Sequence, residues 1–183
     1  MVWIFGYGSL IWRPNFPYLE RRPAKILGWS RRFYQGSPDH RGTPDRLGRV
    51  VTLIPSPEAE CYGIAYSVAP HQRAEIFDYL DIRERGGYDL LETSLFLLNE
   101  GQVEAQVCGY LYTANADNPY YLGPASVAEM AHQIYTTHGP SGPNLEYFTE
   151  LYEALGTFAP EERHLSELHD ELSRRGELKF EQR

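Results

Sequence analysis

The sequence predicts an α+β fold. Segments with strand character fill most of the first two-thirds of the chain, helical patterns gather mainly after residue 126, and no repeating βαβ alternation runs through it. The chain has 183 residues, a length that suits one domain with a sizeable core. It shows no low-complexity linker and no internal repeat, so residues 1–183 are expected to form a single domain.

The elements follow in order. Val2 to Phe5 is a short apolar run that stops at Gly6. Ala24 to Tyr34 is aromatic and β-compatible. Arg49 to Ile54 is rich in β-branched residues and follows a turn-rich stretch. Cys61 to Val68, Tyr88 to Leu98 and Val103 to Thr113 complete the expected strands. A first helix is expected from Pro70 to about Arg85, with Ala74, Phe77 and Leu80 along one side and Gly86-Gly87 as its stop. A second begins at Ser126, where Glu129 three residues on makes a capping box, and buries Val127, Met130, Ala131 and Ile134. Asn144 is expected to cap a third helix, with Leu145, Phe148, Tyr152 and Leu155 on one side and Gly156 as its end. A last helix spans about 160–176, with Pro160 near its start, Leu165, Leu168 and Leu172 inward, and His164 and His169 toward solvent.

Composition narrows the function. The net charge of −8 argues against nucleic acid as the main partner, because phosphate binding needs a basic face. No run approaches the roughly 18 apolar residues of a membrane span, and the N-terminal MVWIFGYGSLIW lacks the basic leader of a secretory signal. Cys61 and Cys108 make neither a metal spacing nor a disulfide framework. They read as buried thiols in a reducing cytoplasm. The histidines form no metal-binding pattern. Arg21, Arg22, Lys25, Arg31, Arg32, Arg41, Arg46 and Arg49 make one basic stretch, which reads either as a guide for a small anion or as a solvated sheet face.

Several motifs carry possible chemistry. Gly6-Tyr7-Gly8-Ser9-Leu10 follows the first strand, and glycines there let the backbone turn and approach a ligand with its amides. Trp12-Arg13-Pro14 then replaces the third glycine and helix of a dinucleotide fingerprint, so that reading is set aside; a plain turn stays open. In Tyr79-Leu80-Asp81-Ile82-Arg83-Glu84-Arg85-Gly86-Gly87-Tyr88, Glu84 falls near a helix C-terminus, where unpaired carbonyls disfavour an anion. If also buried, it would hold its proton to higher pH, as an acid/base group needs; a surface pair with Arg83 or Arg85 is the alternative. Glu75 lies nine residues earlier, on the opposite helix face. Ser37, Asp39 and His40 have the types of a triad but sit too close in sequence to converge, and no nucleophile elbow surrounds Ser37. Asp39 or Arg41 at a pocket mouth is the better reading. The Asn115 to Pro124 turn is a further candidate pocket wall.

Taken in chain order, WIFGYGSLIW (3–12), SRRFYQGSPDHRG (30–42), GRVVTL (48–53), YLDIRERGGY (79–88), DNPYYLGPA (117–125) and GPSGPNLEYF (139–148) resemble the ChaC-type, glutathione-specific γ-glutamylcyclotransferases. The resemblance covers most of residues 1–150 and weakens after about residue 156. It implies a mixed β-barrel of the γ-glutamylcyclotransferase-like type with surrounding helices. It implies a lyase that cleaves glutathione to 5-oxoproline and Cys-Gly without metal or organic cofactor; the cysteine and composition readings add a cytoplasmic place and no membrane partner. It places Glu84 as the proton acceptor and Gly6, Tyr7, Gly8, Ser9, Leu10 and Ile11 as the loop holding the γ-glutamyl group, with Tyr147, Tyr7 and Tyr88 as aromatic walls. Asp39, Arg41 or Arg83 would meet the Cys-Gly part. A cyclotransferase for another γ-glutamyl amine or amino acid and a non-catalytic γ-glutamyl-peptide binding module are the competing readings.

Overall fold

The structure, a computed structural model, describes residues 1–84, 86–174 and 176. Its centre is a closed five-stranded barrel with strand order β1–β3–β2–β4–β5. The strands are β1 (Val2–Gly6), β2 (Glu20–Ser37), β3 (Gly48–Val68), β4 (Asp89–Asn99) and β5 (Gln102–Thr113). All neighbours run antiparallel except β1 and β5, which meet in parallel at Ile4 and Tyr110 and close the ring. Helices α1 (Arg73–Arg83), α2 (Val127–Thr136), α3 (Asn144–Gly156) and α4 (Arg163–Arg174) complete the fold, with a two-residue hairpin, β6 (His138–Gly139) and β7 (Gly142–Pro143), before α3.

The segments expected as separate strands at 49–54 and 61–68 are one long strand, β3. Pro55 and Pro57 do not break it, because the β2–β3 ladder slips between Leu27 and Trp29, opposite that stretch. A bulge of this kind absorbs residues that cannot join a regular ladder. The barrel wall is apolar and buried, on both faces of β1: Ile4, Phe5, Ile64, Leu95 and Leu111 are each at most 1% exposed.

The first, third and fourth helices depart from their expected form, and the second keeps its expected start. The first is shorter than 70–85: Pro70–Gln72 makes a 3-10 turn before α1, and Arg85 lies outside the described residues. Its buried stripe is Ile76 and Leu80, while Ala74 is exposed and Phe77 packs edge-on to Tyr110. Helix α2 opens with the expected capping box between Ser126 and Glu129 and buries Met130, Ala131 and Ile134. Asn144 does not cap α3. It is buried as the first helical residue, and its amide clamps β3 instead, accepting from the Arg49 amide (2.6 Å) and donating to the Arg49 carbonyl (2.7 Å). A side chain able to donate and accept at once is better used inside the protein than at a solvated helix end. Helix α4 starts at Arg163, later than Pro160, and it buries Leu165, Leu168 and Leu172.

The histidines of α4 are not solvent-facing. His164 is 8% exposed and its Nε2 accepts the Phe33 amide at 3.1 Å, while His169 stacks on Tyr152 at 4.4 Å between ring centroids. Burial pushes the His164 pKa down to about 4, with Arg32 acting in the same direction. The cysteines also divide: Cys61 is buried, its thiol pushed up to about 11 by burial, but Cys108 is exposed. The basic stretch is divided between surface and interior: Arg21 and Arg46 are exposed. Arg31, Arg41 and Arg49 are buried and hold the fold together, so neither the guide nor the solvated face describes the stretch as a whole.

Candidate active site

Strand β1 ends at Gly6, and Tyr7 and Gly8 lead into a 3-10 turn at Ser9–Ile11. The loop is fastened from behind. Arg31, buried on β2, donates through Nε to the Tyr7 carbonyl at 2.8 Å. Its other guanidinium nitrogens reach the Tyr62 carbonyl and, at 2.7 Å, the Glu162 carboxylate. Burial raises the Glu162 pKa in spite of Arg31, so this pair fixes geometry more than it adds stability. The Tyr66 hydroxyl donates to the carbonyls of Leu10 (2.7 Å) and Ile11 (3.2 Å), and the Arg83 guanidinium donates to Ser9 Oγ (2.7 Å) and the Arg13 carbonyl (2.8 Å). The turn has no side-chain cap, and its opening amides have no earlier carbonyl within the turn to reach. An anion or a carbonyl oxygen is the natural partner for such amides.

Facing this loop is Glu84, the residue that ends α1. Its amide donates to the Leu80 carbonyl at 2.8 Å, and its own carbonyl accepts from the Tyr88 amide at 3.4 Å. Its side chain is 19% exposed and lies 3.5 Å from Arg83 Nε. The carboxyl holds its proton to higher pH than an ordinary glutamate. Burial is the main cause, the Arg83 charge opposes it, and Asp39 adds to it. Here the surface-pair alternative gives way to a combination: Glu84 pairs with Arg83 and is buried as well. Glu75 is exposed on α1.

Between loop and carboxylate lies a cavity of about 320 Å³. Tyr7, Gly8, Ser9, Leu10, Glu84 and Tyr147 all line it. Gly6 and Ile11 do not: Gly6 pairs with Ile64 in the β1–β3 ladder, and Ile11 is 1% exposed in the core behind the turn. Tyr7, Tyr88 and Tyr147 form aromatic walls, and burial raises the pKa of all three hydroxyls, which stay neutral. The Glu84 charge contributes to each of these shifts.

Asp39, His40 and Arg41 stand in the cavity wall, as the pocket-mouth reading expects. Ser37, Asp39 and His40 form no triad. Ser37 Oγ accepts the Arg41 amide (3.0 Å), and His40 Nδ1 meets Ser141 Oγ (3.0 Å). Arg83 lines the cavity too, but its donors are taken by Ser9, Arg13 and Tyr79. Arg41 and Arg13 converge on Glu146, at 3.2 and 3.4 Å. Trp12, Tyr112 and Ser141 belong to the wall without having been singled out from sequence. Trp12 stands just past the glycine loop and packs edge-on to Tyr147 at 5.4 Å, so its nearness to the loop was the available signal. The Asn115 to Pro124 turn is not a cavity wall, since none of its residues lines the cavity. Among the described residues no group of three or more His, Cys, Asp or Glu side chains could hold a metal ion, and no helix is long and apolar enough to cross a membrane.

A small barrel whose aromatic cavity sets the Glu84 carboxyl against the loop after β1 has the form of an enzyme site for a small polar substrate. The chain matches the family described as ChaC-like protein over residues 2–175, and it belongs to that family. It is 42% identical over 162 residues to glutathione-specific gamma-glutamylcyclotransferase 1 of Danio rerio, covering 87% of this chain and 82% of that one. It is 41% identical over 176 residues to gamma-glutamylcyclotransferase 2-3 of Arabidopsis thaliana, covering 93% and 88%. Among solved structures, the yeast γ-glutamylcyclotransferase specific to glutathione superposes with a TM-score of 0.86 at 31% identity, covering 94% of this chain and 96% of that chain. That agreement extends the likeness beyond residue 150, where the sequence motifs thin out.

Proposed function

We propose that this chain is a glutathione-specific γ-glutamylcyclotransferase, a lyase that releases 5-oxoproline and Cys-Gly, and that Glu84 is its general acid/base. The observation that carries the reading is the buried Glu84 carboxyl facing the Tyr7–Leu10 loop across a cavity of about 320 Å³. The substrate class comes from the relatives, whose names specify glutathione.

The chemistry needs no enzyme nucleophile and no attacking water. The α-amine of the γ-glutamyl group attacks its own γ-carbonyl carbon, and the amide bond to cysteine breaks as the lactam closes. Glu84 takes the proton from the amine and returns it to the departing cysteinyl nitrogen. A carboxyl whose pKa lies above the ordinary range serves both halves of that exchange near neutral pH. The fixed loop supplies positioning, because cyclisation requires amine and carbonyl to be held within reach of each other. Its amides meet either the α-carboxylate or the developing oxyanion. The tyrosine walls restrict water. Asp39 and Arg41, at the rim, meet the Cys-Gly half. The reading places the protein in the cytoplasm as a single domain without cofactor, in keeping with its two free cysteines.

The test compares parent and Glu84→Gln for 5-oxoproline and Cys-Gly by mass spectrometry. The variant should lose about 10²–10⁴-fold in kcat, the usual worth of acid–base help. It should also melt at higher temperature at pH 7. The raised folded pKa means that Glu84 favours the native state only while protonated, and that contribution is lost as pH rises through the folded value. A neutral amide escapes the loss. Turnover by the variant at the parental rate removes Glu84 from the mechanism. A folded parent that is inactive on glutathione but active on other γ-glutamyl compounds moves the assignment to those substrates, and binding without product makes it a binding module.

A further inference from the structure

Glu84 and Tyr88 both line the cavity and are the two ends of one turn, closed by the Tyr88 amide donating to the Glu84 carbonyl. The inside of that turn is gripped from elsewhere. Asn118 Nδ2 donates to the carbonyls of both Gly86 and Gly87, each at 2.7 Å. Gly87 has φ +82°, and a Cβ on it would stand 2.6 Å from that same nitrogen, so the turn and the amide are fitted to each other. Asn118 is itself held: its Oδ1 accepts from Gln35 Nε2 (2.9 Å) and from the Tyr120 amide (2.8 Å). Gln35 is buried on β2. The loop carrying Asn118 is laced to β2 as well, through Gly36 to the Tyr120 carbonyl and Leu122 to the Tyr34 carbonyl, both 2.8 Å.

We propose that Asn118 is a positioning residue for catalysis, which ties the turn holding Glu84 to the barrel wall and fixes where that carboxyl stands in the cavity. The proposal rests on Glu84 as the acid/base group. Asn118 does not line the cavity, so it acts on substrate only through the turn. A side chain that donates twice on one side and accepts twice on the other cannot be matched by an acid or a hydroxyl. Supporting shells of this kind hold reacting groups within about half an ångström of productive geometry.

The charged and titratable groups around Glu84 bear on the test. Arg83 comes from α1, Asp39 from the β2–β3 connection, Tyr7 from the loop after β1, Tyr112 from β5, Tyr147 from α3, and Tyr88 from the far end of the turn. None of these side chains is a hydrogen-bond partner of Asn118, whose partners are Gly86, Gly87, Gln35 and Tyr120; replacing it acts on Glu84, and on Tyr88 at the other end, through the turn.

The experiment titrates the Glu84 carboxyl carbon by NMR in the parent, assigned by its absence in Glu84→Gln, and in Asn118→Asp and Asn118→Ser. Asparagine to aspartate keeps the acceptors and removes the donors; serine is neutral and too short to span both carbonyls. In Asn118→Ser the Glu84 titration should move down toward the ordinary carboxylate value; in Asn118→Asp the added negative charge opposes that fall, so the serine variant decides the direction and the aspartate variant is read by kcat. With glutathione, kcat should fall about tenfold or more while KM stays within about threefold, and the acid limb of the pH profile should move with the titration. An unchanged titration in folded Asn118→Ser overturns the proposal, as does loss of fold in both variants, which would make Asn118 a residue of stability alone. If the parent fails to convert glutathione, the functional reading falls, and the titration still decides the role of Asn118.

Discussion

A Cβ placed on Gly8 would stand 3.0 Å from the Tyr147 hydroxyl and 3.1 Å from Val51 Cγ2. Both distances are tighter than ordinary contact, and the hydroxyl is itself held by the Val51 amide at 3.4 Å. Gly8→Ala should therefore push loop and tyrosine apart by a few tenths of an ångström. A shift of that size beside the reacting atoms is expected to lower kcat/KM by about 10–100-fold with little change in Tm. Because the nearer of the two obstructions is the Tyr147 oxygen, Tyr147→Phe should restore part of the loss in the double variant. A double-mutant cycle on kcat/KM measures this, and strict additivity would show that the two residues do not meet. This contact could not be read from the sequence. The glycines announced a loop, but Tyr147 reaches it from α3, more than a hundred residues away, and only the fold brings the two together.

At the scale of elements, α4 is a buttress: its leucines enter the core and it supplies no residue to the cavity wall. His164 is its polar attachment, receiving the Phe33 amide from β2. The imidazole must stay neutral to accept, and its folded pKa of about 4 lies below the ordinary value. Stability from this group is complete above the unfolded value near 6.5 and is lost as pH falls toward the folded one. Glu84 and Glu162, with raised values, bend the curve the other way over part of the same range. The difference between parent and His164→Gln isolates the histidine. From pH 7 to 4.5 the parent should lose on the order of 2 kcal/mol more than the variant, read by urea denaturation at each pH. Parallel curves would place the titrating group elsewhere. The sequence marked α4 by its leucines, yet the same periodicity left His164 on the wrong side. Hydrophobic pattern reports apolar residues only, and a histidine buried for its acceptor nitrogen has no such signature. The reverse error fell at Asn144, where capping chemistry was legible but the competing demand of β3 was not.

The molecule as a whole shares one core. Buried residues of the barrel such as Phe33 and Leu53 belong to the same cluster as Met130, Phe148 and Leu168 of the helices. One cooperative unfolding transition is expected, with calorimetric and van't Hoff enthalpies equal. A second transition would show the helical layer melting apart from the barrel. At this scale the sequence was most legible. Strand patterns, helix stops and the ordered motifs pointed to class and family, because each is a local signal. The barrel's closure was not local. The pairing of β1 with β5 joins residues 4 and 110 in parallel, and β3 runs on through Pro55 and Pro57 because of its partner's register. Asn118 belongs to the same class of omission: its motif was noticed, but its grip on Gly86 and Gly87 depends on where two loops meet.

The cavity draws its parts from unequal sources. The turn that carries Glu84 and the glycine loop are anchored to the barrel through Arg31, Tyr66 and Asn118, while Arg13, Asn15, Asp39, His40 and Ser141 stand on connections between elements. Connections absorb substitution and changes of length that anchored positions cannot. Descent with modification can therefore rewrite which leaving group is accepted while the ring-closing step is inherited intact, and new substrate preferences in this lineage should arise at the rim.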